Sequence, residues 1–353
     1  MGHIMRTLSI ADAFTSAGNS VRFILADDSV SKLVESRGYE AIVLNSDYKK
    51  MDEEKWPADI HADYLVVDSY YVTASYLTAL RERMKNTGGK LIYLDDVYTF
   101  PYSVDVLIDY NAYASISTYS ELYRNSEVEQ PQLILGPTYA PLRSMFRGIP
   151  KRSQPEKVRN ILISTGGSDE LHLALAILRT IVSSVRTDRV YHFLLGAMNA
   201  DKESIHQLAE NDDRIVLHEN VSDMRGLIES MDLAISAAGS TLYEISACGV
   251  PLITYSLADN QIPGAEAFER LGLAVNVGDL RNPGTIDPAL VMSGELDKSA
   301  VERILTAAEK LSADYERRVA MGKQMQEMID GFGADRMVKE ILRLSRASEL
   351  LEE

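Results

Sequence analysis

Residues 232–268 read DLAISAAGSTLYEISACGVPLITYSLADNQIPGAEAF. An apolar run, DLAIS, is cut by Ala-Ala-Gly-Ser-Thr, an amphipathic stretch follows over 241–248, and PLITY opens a second apolar run that ends in another polar turn. Strand, turn, helix and strand in that order make a βαβ unit, in which the helix carries the chain back so that the two strands lie parallel. Both runs are continuously apolar rather than alternating, so both faces of their sheet are expected to be covered. Upstream the same rhythm is found as NILIS at 160–164, a helix over about 169–184, YHFLL at 191–195, a helix over 201–210, RIVLH at 214–218 and a helix over 223–230. It is found again nearer the start as VRFIL at 21–25, YEAIVL at 39–44, YLVVD at 64–68, a helix over 73–84 and KLIYLDD at 90–96.

Two doubly wound α/β domains are therefore expected: 1–142, and 159–330, joined by the linker 143–158 with its two prolines and five basic residues. Beyond Asp297 the pattern is helical, and 331–353 is expected to form a helix able to cross back to the first domain. In sheets of this kind ligands bind outside the carboxyl ends of the strands, and the cleft between two such domains is the default site.

The chain has 353 residues, 46% of them hydrophobic and 25% charged, the balance of a globular protein of about two domains. Its 36 basic against 52 acidic residues give a net charge of −16, the wrong sign for a general phosphate-backbone binder, so nucleic acid is not an expected partner. Local anion sites at helix N-termini and glycine loops remain open to it. No apolar run approaches the length of a membrane span and no signal peptide is recognisable, so a cytoplasmic location is expected. Cys248 reads as buried filler. None of the six histidines has a zinc-ligand spacing; no metal and no cofactor are expected, and protein partners are not legible.

The N-terminus departs from the pattern. GHIMRTLSIADAF reads as a glycine turn running straight into a helix, and the strand that feeds such a turn in a doubly wound domain is missing. Either the start is truncated or another segment fills the gap. His3, just after Gly2, is placed where an imidazole can point into a cleft, although a disordered terminus accounts for it as well.

Four other places carry chemistry. Asp68 in VVDSYY and Asp95 and Asp96 in YLDD end strands, where a functional carboxylate and a helix cap are equally good readings. In ISTGGSDELHLALAIL, Gly166 and Gly167 permit close backbone approach and Ser168 can donate, though a tight turn with a capped helix explains the same text. At Ser240 and Thr241, hydroxyls lie beside the free amides of a helix start, which suits a diphosphate. Glu244 three residues on suits a ribose diol, or the carboxylate of a capping box with Thr241. The turn with Asn260 and Gln261 offers amides to a sugar, or is simply solvated.

In the order GHIMRTLSIADAF, VVDSYY, YLDD, LGPTYAPLR, ISTGGSD and AAGSTLYEISACGVPLITYSLADNQ, the chain resembles the PseG-type UDP-sugar hydrolases over nearly its whole length. That family cleaves UDP-2,4-diacetamido-2,4,6-trideoxy-β-L-altropyranose in pseudaminic acid biosynthesis, groups with spore coat polysaccharide proteins and is similar in fold to MurG. The resemblance implies a GT-B architecture. It implies that His3 activates water for inverting attack on the anomeric carbon, that Ser240 and Thr241 bind the diphosphate beside Gly167 and Ser168, and that Glu244 binds the ribose. It also implies that the loop from Asn220 to Met224 holds the uracil, with Val221 and Met224 at its contacts, that Asn260 and Gln261 orient the sugar, and that Gly2 and Tyr70 complete the site from the first domain. The family carries an apolar strand and a further glycine-rich segment ahead of the Gly2-His3 text. The alternatives are a glycosyltransferase, in which a sugar hydroxyl replaces water, and a non-catalytic UDP-sugar binding protein of polysaccharide assembly.

Overall fold

A computed structural model describes residues 2–50, 61–282 and 295–352. The chain divides into two compact units: residues 1–144 with 331–353, and residues 145–330. Each is a layered α/β structure whose sheets are parallel throughout.

The first unit begins with helix α1 (Gly2–Ser16), followed by β1 (Arg22–Leu25), α2 (Ser31–Ser36), β2 (Glu40–Val43), β3 (Tyr64–Val67), α3 (Ala74–Asn86), β4 (Lys90–Leu94), β5 (Val106–Asp109), α4 (Ile116–Tyr123) and β6 (Gln132–Leu135). Among the described residues β1 and β2 pair only with each other, while β3, β4, β5 and β6 form a separate sheet in that order. The pleat of β4 divides its side chains between two cores. Leu91 and Tyr93 pack with α3 residues Leu77 and Leu80, and Ile92 and Leu94 pack with Ile10, Ala13 and Phe14 of α1. The opposite end of α1 places Ile4 and Leu8 against Val34, Phe23 and Leu25. One helix therefore spans from the small sheet to the large one.

The second unit runs β7 (Asn160–Ser164), α5 (Leu173–Ser183), β8 (Val190–Leu194), α6 (Lys202–Ala209), β9 (Ile215–His218), α7 (Met224–Glu229), β10 (Leu233–Ala237), α8 (Thr241–Ala247), β11 (Leu252–Ser256), α9 (Ile262–Arg270), β12 (Val275–Asp279), α10 (Ala300–Ala313) and α11 (Tyr315–Met328). Its six strands lie in the order β12-β11-β10-β7-β8-β9, so the winding reverses between β7 and β10. The stretch 145–158 is held to this unit: Arg152 donates to the carbonyl of Glu229 at 2.9 Å and Gln154 to that of Gly249 at 2.8 Å. The chain then returns to the first unit in α12 (Gly333–Glu352), where Ala334, Met337, Val338 and Ile341 join the core beside Phe14 and Ile108.

One local expectation is corrected, and a strand is found where none was expected. The helix expected from 169 starts at Leu173, because Asp169 and His172 adopt left-handed φ values of 52° and 57° and Asp169 turns its carboxylate onto the amides of Leu173 and Ala174. His172 is thus a cap residue, not a helical one. The strand β12 was not signalled, since Asn276 and Gly278 interrupt its apolar pattern and Gly278 has a φ of 82°.

Candidate functional site

In the first unit, the carboxyl ends of β3 and β4 and the first turns of α1 bring four ionisable side chains together. His3 and Arg6 lie one turn apart on α1, hence on one face. Asp68, one residue beyond β3, accepts from His3 Nδ1 at 2.6 Å, from Arg6 Nε at 2.7 Å and from Arg6 Nη2 at 2.5 Å. The other guanidinium nitrogen, Nη1, donates to Asp96 Oδ2 at 3.2 Å and to the Tyr110 hydroxyl at 3.1 Å. Tyr70 donates to Asp96 at 2.9 Å and sets its ring edge-on to His3, 4.5 Å between centroids.

The electrostatics follow from burial. The Asp68 carboxylate is 4% exposed and Arg6 is 11% exposed, whereas His3 is 41% exposed. Burial pushes Asp68 upward, but the bonds from Arg6 and His3 prevail and hold it below the ordinary carboxylate range. Burial likewise works against the Arg6 cation, and Asp68, Tyr110 and Asp96 together outweigh it, leaving the guanidinium more firmly protonated than a free one. An ionised Asp68 assigns the proton of a neutral His3 to Nδ1, which leaves Nε2 as the lone-pair nitrogen. Such a pair can accept a proton from a bound water, with the carboxylate stabilising the imidazolium that forms.

Asp95 and Asp109 lie behind this cluster, both fully buried. Asp95 accepts from the hydroxyls of Tyr102 and Tyr119, each at 2.8 Å, and from the Val97 amide at 3.0 Å. Asp109 accepts from Tyr98, from Tyr119 at 3.2 Å and from Asn111 at 2.8 Å. Burial pushes Asp109 up to about 7, despite the bonds from Tyr98 and Asn111 that favour its anion. Of the two carboxylates in the YLDD text, Asp95 is thus part of the scaffold and Asp96 belongs to the surface cluster.

The second unit places its candidates in one row at the carboxyl ends of its strands. β7 and β10 are neighbours, with Ser164 opposite Ser236, so the loop holding Gly166, Gly167 and Ser168 starts beside the one holding Ser240 and Thr241. This is where the winding reverses, the position at which open α/β sheets bind ligands. Gly166 has a left-handed φ of 93°, and a Cβ on Gly196, in the loop after β8, would stand 2.1 Å from the Gly167 carbonyl oxygen. Asn260 and Gln261 follow β11 next to β10; Gln261 accepts from the Leu257 amide at 2.9 Å and Asn260 is exposed. Val221 and Met224 are half-buried after the outer strand β9, where Asp223 caps α7 through the Gly226 amide. Glu244 is half-buried in the first turn of α8. The cap of α8 is Ser240 rather than Thr241, and its hydroxyl makes no capping bond, so the cap-side half of the anticipated capping box is not formed.

Arg6, Tyr110 and the tyrosines around Asp95 and Asp109 were missed by sequence reasoning. Only Arg6 carried a local signal, its spacing of three from His3. Among the described residues no helix is long and apolar enough to cross a membrane.

No protein-family model matches the chain. It is 26% identical over 263 residues to an uncharacterised protein of Methanocaldococcus jannaschii, covering 72% of this chain and 52% of that one. It is 27% identical over 205 residues to the spore coat polysaccharide biosynthesis protein SpsG of Bacillus subtilis, covering 57% and 56%. It is 27% identical over 247 residues to the UDP-2,4-diacetamido-2,4,6-trideoxy-β-L-altropyranose hydrolase of Campylobacter jejuni, covering 67% and 80%. The match spans about half the length of the first two relatives. Among solved structures, MurG of Acinetobacter baumannii superposes with a TM-score of 0.61 at 14% identity over 97% of this chain and 96% of that one. The chain therefore resembles the PseG-type hydrolases and SpsG in sequence, and its fold is the GT-B α/β architecture of MurG.

Proposed function

We propose that this chain hydrolyses a UDP-linked diacetamido-trideoxy sugar at the anomeric carbon, releasing UDP and free sugar. The observation that carries the reading is the His3–Asp68 contact of 2.6 Å, with Asp68 held ionised by Arg6. His3 Nε2 takes a proton from water as the water oxygen bonds to the anomeric carbon, the bond from that carbon to the diphosphate oxygen breaks, and its electron pair leaves with UDP. A diphosphate leaves without an acid partner, so one base suffices. Attack opposite the leaving group inverts the anomeric centre. Tyr70 sets its ring edge-on to the imidazole and limits its orientation, and on this reading Gly2, at the start of α1, belongs to the same site.

On this reading Ser240, Thr241, Gly167 and Ser168 bind the diphosphate at the winding reversal of the second unit, Glu244 the ribose diol, Val221 and Met224 the uracil, and Asn260 with Gln261 the sugar. The relatives named as a UDP-sugar hydrolase and a spore coat polysaccharide protein support the substrate class. The test is UDP release from UDP-2,4-diacetamido-2,4,6-trideoxy-β-L-altropyranose, with UDP-N-acetylglucosamine as control, by the wild-type chain and by His3→Ala. Release by the wild type alone, with UDP affinity within a few fold in the variant, is expected. Turnover that requires an added sugar acceptor would assign transfer instead, and UDP-sugar binding without turnover would assign a binding protein.

A further inference from the structure

We infer that Asp169 and Asn199, backed by the outer pair His172 and Asp201, are positioning residues for anion binding in the second unit: they lock the Gly166–Ser168 loop to the loop after β8 so that its unbonded amides face the ligand. The inference rests on the reading that seats the diphosphate at this loop. Between β7 and α5, Gly166, Asp169 and His172 all have left-handed φ values, of 93°, 52° and 57°. Glycine adopts this backbone freely. Aspartate and histidine hold it only where their surroundings over-determine it, and residues held in that way gather at ligand sites.

Two ties between neighbouring loops provide those surroundings. The inner one is buried: Asp169 accepts from the amides of Leu173 at 3.1 Å and Ala174 at 3.0 Å, and from Asn199 Nδ2 at 3.3 Å. Asn199 takes the Asp201 amide on its Oδ1 at 2.8 Å and donates its own amide to the Gly196 carbonyl at 3.2 Å. The outer tie joins His172 Nδ1 to Asp201 Oδ2 at 2.6 Å. Asp201 directly precedes α6, yet its carboxylate makes no capping bond there and serves His172 instead. Between the two ties, Met198 N donates to the Gly167 carbonyl at 3.2 Å. A trans peptide points its N–H opposite to its C=O, so this bond turns the Ser168 amide away from the β8 loop, to the side on which β10 adjoins β7. Among the described residues the amides of Gly167 and Ser168 donate to no protein acceptor. The first two amides of α5, by contrast, are taken by Asp169, so an anion here is held by loop amides and not by that helix terminus. Fixed in advance, the loop binds without the entropy loss of being ordered by its ligand.

The test uses the full chain, with inorganic pyrophosphate and UDP as probes, in wild type, Asn199→Ala and His172→Asn. The second variant changes an exposed side chain to one that tolerates left-handed backbone, so it separates loop positioning from a failure to fold. Calorimetric titration is expected to show both probes bound at least about tenfold more weakly by Asn199→Ala and about threefold more weakly by His172→Asn. In turnover of the UDP-sugar, KM is expected to rise in the same proportion while kcat falls less than about threefold, because the base lies in the first unit. Without ligand, the Met198 amide should exchange at least about fivefold faster in both variants, with the β10 and β11 amides unchanged. Affinity for both probes within about twofold of wild type in Asn199→Ala would overturn the positioning role. So would weaker binding with equally faster exchange of the β10 and β11 amides, since the whole unit would then be loosened. A wild type that binds pyrophosphate but not UDP would count against the nucleotide reading, and the loss of pyrophosphate binding in Asn199→Ala would still carry the positioning role; a wild type that binds neither would overturn both.

Discussion

The buried carboxyl of Asp109 gives the first unit a pH-dependent stability of definite sign. In the folded chain burial pushes it to about 7, against about 4 for a carboxyl in the unfolded chain. Between those values the folded state binds a proton that the unfolded state does not, so stability is greatest below about pH 4 and falls as the pH rises through about 7. At about 1.4 kcal/mol per unit, three units amount to about 4 kcal/mol lost across the interval. Asp109→Asn removes the titration while keeping the shape. Its carbonyl oxygen still accepts from Asn111, and its amide can donate to the Tyr98 and Tyr119 hydroxyls in place of the carboxyl proton. The difference between variant and wild type is the quantity to follow, because other titrations cancel in it. One of them is His192, which burial and the neighbouring His218 lower to about 4, and which destabilises the fold as pH falls from about 6.5. Hydrogen exchange of the β5 amides between about pH 4.5 and pH 7.5 reports opening of the first unit itself, without assuming that both units unfold together. The variant should gain on the wild type by several kcal/mol toward the alkaline end. A difference constant within about 0.5 kcal/mol would refute the protonated, buried Asp109.

Asp68→Asn keeps the hydrogen-bonding outline but lets the amide present the wrong partner to His3, and kcat for UDP release is expected to fall by about 10³-fold or more with KM changed little. Steady-state kinetics decide it; a loss under tenfold would detach Asp68 from the base. Gly196→Ala forces the Gly166–Gly167 loop to move, because the new Cβ falls 2.1 Å from the Gly167 oxygen, and calorimetric titration with UDP should show weakening beyond tenfold. Arg281→Ala removes a side chain 1% exposed that contacts Asp279 at 2.7 Å and Asp259 at 2.5 Å; because those carboxylates, 28% and 60% exposed, turn back to water, urea unfolding of the second unit should show a loss of about 1–2 kcal/mol.

Much of the architecture was written in short apolar runs. VRFIL, YLVVD, KLIYL, NILIS and PLITY each became a parallel strand, because apolar runs this short, bounded by turn residues, fit a strand better than a helix. The strands β5 and β6, VLID and QLIL, were passed over: four residues among tyrosines and prolines give too short a run to show a period. Helix ends were least legible where a residue leaves the right-handed region, as at Asp169 and His172. Around His3, Asp68 was one of two equal readings, and the structure gives it a partner 65 positions away that no local pattern announces. The tyrosines on Asp95 and Asp109 were invisible for the same reason, since a hydrogen bond between distant side chains has no period.

The return of the chain to the first unit has a consequence for biogenesis. Residues 145–330 form their unit from one continuous segment, which can fold as soon as it leaves the ribosome. The other unit lacks Met337, Val338 and Ile341 until the last helix has been made. Until α12 is made, α1 and the sheet beneath carry an uncovered apolar stripe, and closing it means bringing together two segments separated by the whole inserted unit. Chaperone dependence, slow maturation and sensitivity to loss of α12 should therefore concentrate in the unit that bears His3, although most of that unit is translated before the inserted one.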